Sequence, residues 1–241
     1  FAFLDYLAVE KLRKDHSRQI IQGIMEGCHL AGCELTGGET AELPGIYPKD
    51  GYDLAGFAIG VVEKSEIITG ASIKPGDAII GLASSGLHSN GYSLARRVLL
   101  DKRKFRGAER ERVLAMMLTP TAIYVKPLLK LAKKMKIKGL AHITGGGIEG
   151  NLIRVLPDGV KAVVHPSRWD VPEIFDIIEE RGPVERKEMF RVFNMGIGMC
   201  VIVAAKDAEK AITHLRRQKV HALEIGHIEK GRRKVVVKGL K

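Results

Sequence analysis

Three glycine-rich segments carry residue types that could bind phosphate. They are residues 37–40 (Gly-Gly-Glu-Thr), 84–91 (Ser-Ser-Gly-Leu-His-Ser-Asn-Gly) and 144–147 (Thr-Gly-Gly-Gly), and each follows a short predicted strand. Glycines at strand ends let backbone N–H groups approach phosphate oxygens closely, and a following helix adds free donors and a favourable dipole. None has the Gly-Lys-Ser/Thr ending of a P-loop or the downstream acid of a dinucleotide fingerprint. One such segment alone is commonly an ordinary turn, but three in one chain indicate phosphate chemistry.

Ionisable side chains lie inside two of these segments or beside them. Glu39 and Glu42 stand three residues apart, and paired carboxylates beside glycines suit a magnesium ion that bridges nucleotide phosphates. A helix cap or a surface pair is the alternative. His88, followed by Ser89 and Asn90, precedes a predicted helix, so it could donate to a phosphate or move a proton near neutral pH. The alternative is a capping cluster, because Ser and Asn are common N-cap residues.

The elements that must position these segments mix strands and helices without a clean repeating unit. Hydrophobic periodicity predicts helices over 12–31, 92–100, 122–135, 172–181 and 208–218, and a short helix or turn over 150–156. It predicts strands over 33–36, 52–63, 77–83, 140–143, 160–164, 196–205, 222–229 and 234–237. Residues 103–112 are expected to be charged and exposed. The mixture favours an α/β or α+β fold of two parts over a barrel, and the polar stretch 64–76 marks their boundary.

Composition restricts the class of protein. The 241 residues carry a formal charge of +11, with basic clusters at 102–106, 133–138 and 230–234. No aromatic residues alternate with these clusters as stacking platforms, so a solvated basic surface is favoured over a nucleic-acid-binding protein, which is kept as an alternative. Three cysteines without regular spacing argue against a disulfide framework and for a reducing, cytoplasmic location. No apolar run approaches the roughly 20 residues that cross a bilayer.

At the glycine-rich segments the chain resembles a known family, the phosphoribosylformylglycinamidine cyclo-ligases, or AIR synthetases. Five runs are similar to family signatures, in the family's order and spacing: GGETAELPG at 37–45, SSGLHSNGYSL at 84–94, LTPTAIYVK at 118–126, AHITGGG at 141–147 and FRVFNMGIGM at 190–199. His142 and the HSNGY run favour this family over the related families that make selenophosphate or phosphorylate thiamine phosphate. On sequence alone His142 is expected to be a hydrogen-bonded structural histidine.

The resemblance implies a fold and an activity. It implies that residues 1–66 are the second half of a ferredoxin-like N-terminal domain, which dimerises through a shared β-barrel, and that residues 73–241 are a complete α/β C-terminal domain. The active site of the family lies in the cleft between them. These enzymes use ATP and Mg²⁺ to cyclise formylglycinamidine ribonucleotide to aminoimidazole ribonucleotide. The chain is expected to begin after the family's first nucleotide-binding motifs, so a non-catalytic fragment and a sibling ATP-dependent synthetase or kinase are alternatives.

The same resemblance implies roles for individual residues. The catalytic residues are expected to be His88 and Asn90, and the metal ligands Glu39 and Glu42. The substrate and phosphate are expected to contact Gly37, Gly38, Ser85, Gly86, Ser89, Thr144, Gly145, Gly146 and Gly147. Asn194 is expected to hold a neighbouring loop, and Trp169 to anchor packing. The expected partners are ATP, the ribonucleotide substrate and a second copy of the chain, with no nucleic acid and no membrane.

Overall fold

The protein divides into two compact units. A computed structural model describes residues 1–101 and 105–240; residues 102–104, part of the basic cluster at 102–106 and of the segment 103–112, lie outside the described residues, as does residue 241. One unit comprises residues 1–67 with 123–126, and the other comprises residues 68–122 with 127–241. The bounds 1–66 and 73–241 for two family domains stay a prediction.

The first unit is built on a strand–helix–strand motif. Its elements are β1 (Ala2–Val9), α1 (Lys14–Ala31), β2 (Glu34–Glu42) and β3 (Tyr52–Ile59). Within the described residues the sheet has the order β2-β1-β3, in which β1 runs parallel to β2 and antiparallel to β3. Parallel neighbours need a crossover connection, and α1 supplies it. The helix ends at Gly32, whose φ of 79° lets Cys33 N–H donate to Cys28 O at 3.1 Å and close the last turn.

The second unit is a mixed sheet with helices. Its strands are β4 (Ala78–Ala83), β5 (Gly139–His142), β6 (Val160–Val164), β7 (Ile197–Val203), β8 (Ala222–Lys230) and β9 (Lys234–Val237). Its helices are α2 (Tyr92–Leu99), α3 (Gly107–Met117), α4 (Val125–Ala132), α5 (Gly147–Leu152), α6 (Glu173–Arg181), α7 (Arg186–Val192) and α8 (Ala208–Arg217). In the described chain the strand order is β5-β7-β4-β8-β6-β9, antiparallel except for the β6–β9 pair.

Two buried apolar clusters hold the second unit together. One lies on the sheet, where Ile79, Ile202 and Ile225 pack with Ile148 and Leu152 of α5. The other joins α2, α3, α6 and α7 through buried side chains that include Leu99, Val113, Phe175, Met189 and Phe193. Trp169 packs against both clusters and donates its indole N–H to Met195 O at 2.8 Å. The prediction that Trp169 anchors packing is therefore confirmed.

Most predicted elements exist, with bounds shifted by a few residues. Residues 106–109, 111 and 112 of the predicted charged segment 103–112 are exposed, as expected, although Phe105 is buried. Helix α3 begins at Gly107 within this segment, and the residues that it buries, Val113 and Met117, follow the segment. The run before Asn194 also forms a helix, α7, whose buried residues are Met189 and Phe190. No helix in the part of the chain that the structure describes is long and apolar enough to cross a membrane.

A buried ion pair ties the start of β4 to the start of β5. Asp77 and Lys138 have side chains 2% and 10% exposed, and their Oδ1 and Nζ atoms lie 2.5 Å apart. The second carboxylate oxygen of Asp77 accepts Lys74 N–H at 2.8 Å. Removing one partner would leave the other charge buried without its counterion, which is costly in a low-dielectric interior.

We expect Lys138→Met to lower the free energy of unfolding by about 3–5 kcal/mol. The matched control is Arg112→Ala, which breaks an ion pair with Glu173 whose two side chains are 53% and 57% exposed. That change should cost less than about 1 kcal/mol because exposed pairs are screened by water. Urea titration of both variants measures the difference, and equal losses would contradict the structural importance of the buried pair.

Candidate functional site

The sheet of the second unit brings two of the glycine-rich segments to one edge. Strands β4 and β5 lie on either side of β7 and run antiparallel to it, so both end where β7 begins. Segment 84–91 leaves β4 and segment 144–147 leaves β5. Ser84 N–H donates to Gly196 O at 2.8 Å, and Ile143 N–H donates to Gly198 O at 2.9 Å. A Cβ atom placed on Gly145 would lie 3.8 Å from Asn90 Oδ1, so the two segments are neighbours.

A buried asparagine fixes the segment that follows β4. Asn194 is 2% exposed, and its amide N–H groups donate to Gly86 O at 2.8 Å and Leu87 O at 3.2 Å. Its Oδ1 accepts Ser84 Oγ–H at 2.9 Å and Gly196 N–H at 2.8 Å. The amide thus satisfies its donors and its acceptor, as a buried polar group must. The prediction that Asn194 holds a neighbouring loop is confirmed.

A second buried asparagine fixes the segment that follows β5. Asn151 is 3% exposed and donates through Nδ2 to the carbonyls of Thr144, Gly145 and Gly147, at 3.2, 3.3 and 2.8 Å. Its Oδ1 accepts Thr144 Oγ1–H at 3.1 Å. With three carbonyls turned toward Asn151, the shape of segment 144–147 is set by one side chain. Asn151 was not among the residues predicted from the sequence, although a polar side chain beside Leu152 on a short apolar helix was a usable signal.

The run 117–122 covers the outer side of segment 84–91. Ser85 Oγ–H donates to Pro120 O at 2.6 Å, Ser89 Oγ and Thr121 Oγ1 lie 3.3 Å apart, and the Tyr92 hydroxyl donates to Met117 O. These bonds fix a segment that has little regular secondary structure of its own. Part of the LTPTAIYVK run at 118–126 therefore holds the SSGLHSNGYSL run at 84–94 in place through hydrogen bonds.

His88 is held in one protonation state by its surroundings. The residue is 4% exposed, and its Nε2 accepts Ser85 N–H at 3.1 Å and Ala122 N–H at 3.4 Å. An acceptor nitrogen carries no proton, so the neutral ring has its proton on Nδ1. Burial, and to a lesser extent the neighbouring His142, lower the pKa of His88 from 6.5 to about 4. At neutral pH the ring is uncharged and can donate only from Nδ1.

In segment 144–147, Gly147 and Gly145 have different physical reasons for being glycine. Gly147 has a φ of 61°, and a Cβ atom there would lie 1.8 Å from Phe190 O, so the fold itself excludes any larger residue. Gly145 is exposed, and the nearest atom that its Cβ would meet is Asn90 Oδ1, at an ordinary contact distance of 3.8 Å. Packing therefore leaves room for a side chain at Gly145. Close approach of the backbone to a ligand is a recognised reason for a glycine at such a position.

In the first unit, the run 37–40 was expected to follow a short strand over 33–36 as a loop, and that expectation was wrong because the run continues the strand. Gly37, Gly38, Glu39 and Thr40 lie inside β2 and pair one by one with residues 4–7 of β1. A bulge at Thr36 precedes them, because the register shifts between Phe3 and Leu4. Strand pairing with a chain segment some 30 residues earlier overrides the local glycine signal. Gly38 is required there, since a Cβ atom would lie 2.1 Å from Asp5 Oδ1.

The strand conformation bears on the predicted metal ligands. Glu39 and Glu42 are exposed and stand opposite Tyr6 and Val9 in the β1–β2 register. Because side chains alternate between faces, residues three apart in a strand lie on opposite faces. Glu39 Oε1 accepts Thr40 N–H at 2.9 Å. Among residues 1–101 and 105–240, no three His, Cys, Asp or Glu side chains converge as a metal-binding group.

The predicted site residues are divided between the two units. Segments 84–91 and 144–147 share one edge of the second unit and bring Ser85, Gly86, His88, Ser89, Asn90 and Thr144–Gly147 into one region. Gly37, Gly38, Glu39 and Glu42 belong to β2 of the first unit. His142 is exposed at the end of β5 and takes part in no side-chain hydrogen bond among the described residues, so its prediction as a hydrogen-bonded structural histidine was wrong.

Comparison with protein families matches nearly the whole chain. Residues 1–62 match the AIR synthase related protein, N-terminal domain, and residues 74–239 match the AIR synthase related protein, C-terminal domain. The phosphoribosylformylglycinamidine cyclo-ligase of Myxococcus xanthus is 54% identical over 235 residues, which cover 95% of this chain and 68% of that protein. The enzyme of the same name from Caldanaerobacter subterraneus is 50% identical over 98% of this chain and 71% of its own length.

Solved structures with the same fold have low sequence identity to this chain. A hydrogenase maturation protein HypE in complex with ATP superposes with a TM-score of 0.70 at 18% identity, covering 98% of this chain and 69% of that one. Thiamine-monophosphate kinase from Stenotrophomonas maltophilia superposes with a TM-score of 0.69 at 19% identity, covering 99% and 72%. At such identities the likeness concerns the fold.

The buried imidazole of His88 gives a pH-dependent stability. Its folded pKa lies below the unfolded value, so between pH 6.5 and about 4 the unfolded chain binds a proton that the folded chain does not. The contribution of His88 to stability is therefore present above pH 6.5 and is lost as the pH falls toward 4. We expect the drop in unfolding free energy from pH 7 to pH 4 to be about 3 kcal/mol smaller in His88→Gln than in the wild type.

Urea titration at the two pH values measures this difference. His221→Gln, a change at an exposed histidine, serves as the control and should keep the wild-type pH dependence. A His88→Gln protein that loses as much stability as the wild type on acidification would show that His88 titrates like a solvated histidine.

Proposed function

The chain belongs to the AIR synthase related protein family, and on this premise we propose that it cyclises formylglycinamidine ribonucleotide to 5-aminoimidazole ribonucleotide, with hydrolysis of ATP, in purine biosynthesis. Relatives that are 48–54% identical over about 95% of the chain are named as that ligase. The observation that carries the proposal is the pairing of two glycine-rich segments at one sheet edge. Asn194 fixes one of them and Asn151 the other, and Gly145 faces Asn90 across the gap.

In the reaction, ATP transfers its terminal phosphoryl group to the formyl oxygen of the substrate. An amidine nitrogen then attacks the formyl carbon, the carbon–oxygen bond breaks, and inorganic phosphate leaves as the imidazole ring closes. Such a sequence asks the protein mainly for positioning and for neutralisation of phosphate charge. Fixed backbone donors can both position the phosphate and neutralise its charge, because they need no reorganisation when charge develops.

Different residues of the second unit are assigned to phosphate contact, substrate contact and hydrogen-bond donation. We assign phosphate or substrate contact to Ser85, Gly86 and Ser89, and to Thr144, Gly145 and Gly146, with Gly147 shaping the segment. Asn90 is half-buried beside Gly145 and is assigned a direct contact with the reacting groups. His88 acts as a neutral donor through Nδ1, since its Nε2 already accepts two backbone N–H groups. It is therefore not assigned the role of a base at Nε2.

Magnesium is assigned to the strand β2. The ion commonly binds one or two carboxylates, several waters and the phosphates of its nucleotide, so a preformed protein cage is not needed. When bound, it would neutralise charge on the transferred phosphoryl group. Glu39 is the proposed ligand. Glu42 stands on the other face of the strand and cannot share the same ion through a direct bond. Gly37, with no atom within 4 Å of its Cβ position, would let a phosphate approach the same strand.

The proposed state of the enzyme is a cytoplasmic homodimer. All eight residues of β3 are exposed, and they include Leu54, Phe57 and Ile59, at 45%, 63% and 52% exposure. The strand forms an edge of its sheet, and an apolar edge strand is a template for association. A second copy of the chain is the proposed partner of this surface. Cytoplasmic location is supported by the three cysteines, all of which are free thiols.

The activity test follows ATP-dependent formation of aminoimidazole ribonucleotide from formylglycinamidine ribonucleotide with Mg²⁺ present. We expect one ADP and one phosphate per ring closed. Asn90→Ala should lower kcat by about 10²-fold or more, the usual cost of removing a group that stabilises the transition state. Lys230→Gln, at an exposed position on β8, is the control and should keep wild-type kinetics.

Detection of a different ATP-dependent reaction would contradict the cyclo-ligase proposal. Phosphorylation of thiamine monophosphate without ring closure would replace the cyclo-ligase proposal by a kinase of the same fold. Wild-type kinetics in Asn90→Ala would remove Asn90 from the catalytic residues while leaving the reaction itself in place.

The dimer test changes one residue of β3. Phe57→Glu puts a charge into the exposed apolar strand, and burying an unpaired charge at an interface is strongly unfavourable. We expect light scattering after size exclusion to give twice the 26.5 kDa chain mass for the wild type and the single chain mass for the variant. Lys49→Glu, in the exposed loop before β3, should stay dimeric, and a monomeric wild type would refute the proposed dimer.

A further inference from the structure

A second concave surface of the second unit lies apart from the two glycine-rich segments. It is a groove of about 400 Å³ between the turn after α4 and the helix α8. That volume is near the lower end of the range for ligand sites in proteins. The groove is lined by Lys134, Met135, Lys210, Thr213, His214 and Arg217, with Glu209 as its carboxylate. The basic cluster at 133–138, which the proposed reaction does not use, supplies one wall.

The cations of this groove are not neutralised by the protein. In residues 1–101 and 105–240, Lys134, Lys210 and Arg217 form no ion pair and no side-chain hydrogen bond. Neighbouring cations do have partners, since Lys130 Nζ donates to Gln218 Oε1 at 2.8 Å and Arg216 Nε donates to Ala222 O at 3.0 Å. The groove therefore carries three cations without a carboxylate partner among the described residues.

Helix electrostatics account for only some of these charges. Arg217 ends α8, where a cation favours the helix dipole. Lys210 lies in the first turn of α8, near the positive end of the dipole, where a cation is disfavoured. A negatively charged ligand in the groove would offset that unfavourable placement.

His214 adds a polar atom without a partner. Its Nε2 is buried, and the described residues offer it no hydrogen bond. Burial, followed by the charges of Lys134, Lys130 and Arg217, lowers the pKa of His214. A buried nitrogen left unpaired costs free energy, so a small rotation of the ring that lets Nε2–H bond an acceptor in the groove would be favoured.

We propose that this groove binds the phosphate group of a small anionic metabolite, held by Lys134, Lys210 and Arg217 and by a hydrogen bond from His214 Nε2. Among the described residues, no Phe, Tyr or Trp side chain lines the groove, so it lacks the large aromatic platforms on which the bases of single-stranded nucleic acid stack. A compact phosphorylated molecule matches its size and charge. The site lies outside the two segments assigned to the reaction.

Binding at this site should depend on pH. The charged groups that face His214 are Lys130, Lys134 and Arg217, and the groove also contains Glu209 and Lys210. A bound dianion offsets their repulsion of the imidazolium, so the pKa of His214 rises in the complex. By linkage, the phosphate dianion binds the protonated form of His214 more tightly than the neutral form.

The test follows the histidine ring itself. Full-length protein with ¹³C-labelled histidine is titrated with inorganic phosphate at constant ionic strength, and the His214 resonance is assigned with His214→Asn. We expect a saturable shift of this resonance and a raised pKa. The double variant Lys134→Gln/Arg217→Gln should weaken binding by about tenfold or more, since two charge contacts are lost.

The matched control is Lys187→Gln/Arg232→Gln, which removes one lysine and one arginine at exposed positions elsewhere. It should leave the His214 titration unchanged, as should Asn90→Ala, so the result is independent of the proposed reaction. The proposal is overturned if His214 responds to chloride as it does to phosphate, or if both double variants weaken binding equally. Displacement of phosphate by single-stranded RNA at lower concentrations than by nucleoside monophosphates would overturn the small-ligand assignment.

Discussion

The site of the second unit depends on two buried side-chain amides. Asn194 makes four hydrogen bonds to segment 84–87 and to Gly196, and Asn151 makes four to segment 144–147. Neither segment has regular secondary structure to satisfy its backbone groups. Because a buried polar group left unpaired is costly, each amide and its segment are stable only in the observed arrangement. Loops that are rigid in this way can present backbone donors to a ligand without first losing conformational freedom.

The same constraint explains the state of His88. Segment 84–91 turns inward to satisfy Asn194, and the run 117–122 closes over its outer side through Ser85 and Tyr92. His88 is thereby removed from water and made to accept two backbone N–H groups, which fixes its tautomer and lowers its pKa. Burial of the His88 ring lowers the stability of the protein at low pH, and it leaves the ring with a defined hydrogen-bond donor at neutral pH.

The polar residues of the two units have different structural environments. In the second unit, the side chains of Asn151 and Asn194 are buried and fully bonded, and they shape irregular segments between strands and helices. In the first unit, the polar motif Gly37–Thr40 is drawn into a parallel strand pair, and Glu39 stays exposed on one face. Strand β3 is exposed along its whole length. The first unit therefore presents an exposed strand with apolar side chains, and the second unit presents rigid glycine-rich segments.

The sequence by itself indicated the elements with strong periodicity, the glycine-rich segments at 84–91 and 144–147, the loop-holding role of Asn194 and the family. The periodic elements and the glycine-rich segments depend on short spacings, which local propensity and hydrophobic pattern control. The bonds of Asn194, in contrast, reach residues 107 and 108 positions earlier. Tertiary structure alone decided that residues 37–40 are a strand, that Glu39 and Glu42 face apart, that His88 is buried and neutral, and that Asn151 shapes its segment. The strand at residues 37–40 and the state of His88 depend on partners far along the chain, which are β1 and Ala122. Asn151 bonds residues only four to seven positions earlier, but only the folded chain shows that its side chain turns toward them. Burial and long-range pairing outweigh local preference, and a single sequence does not display them.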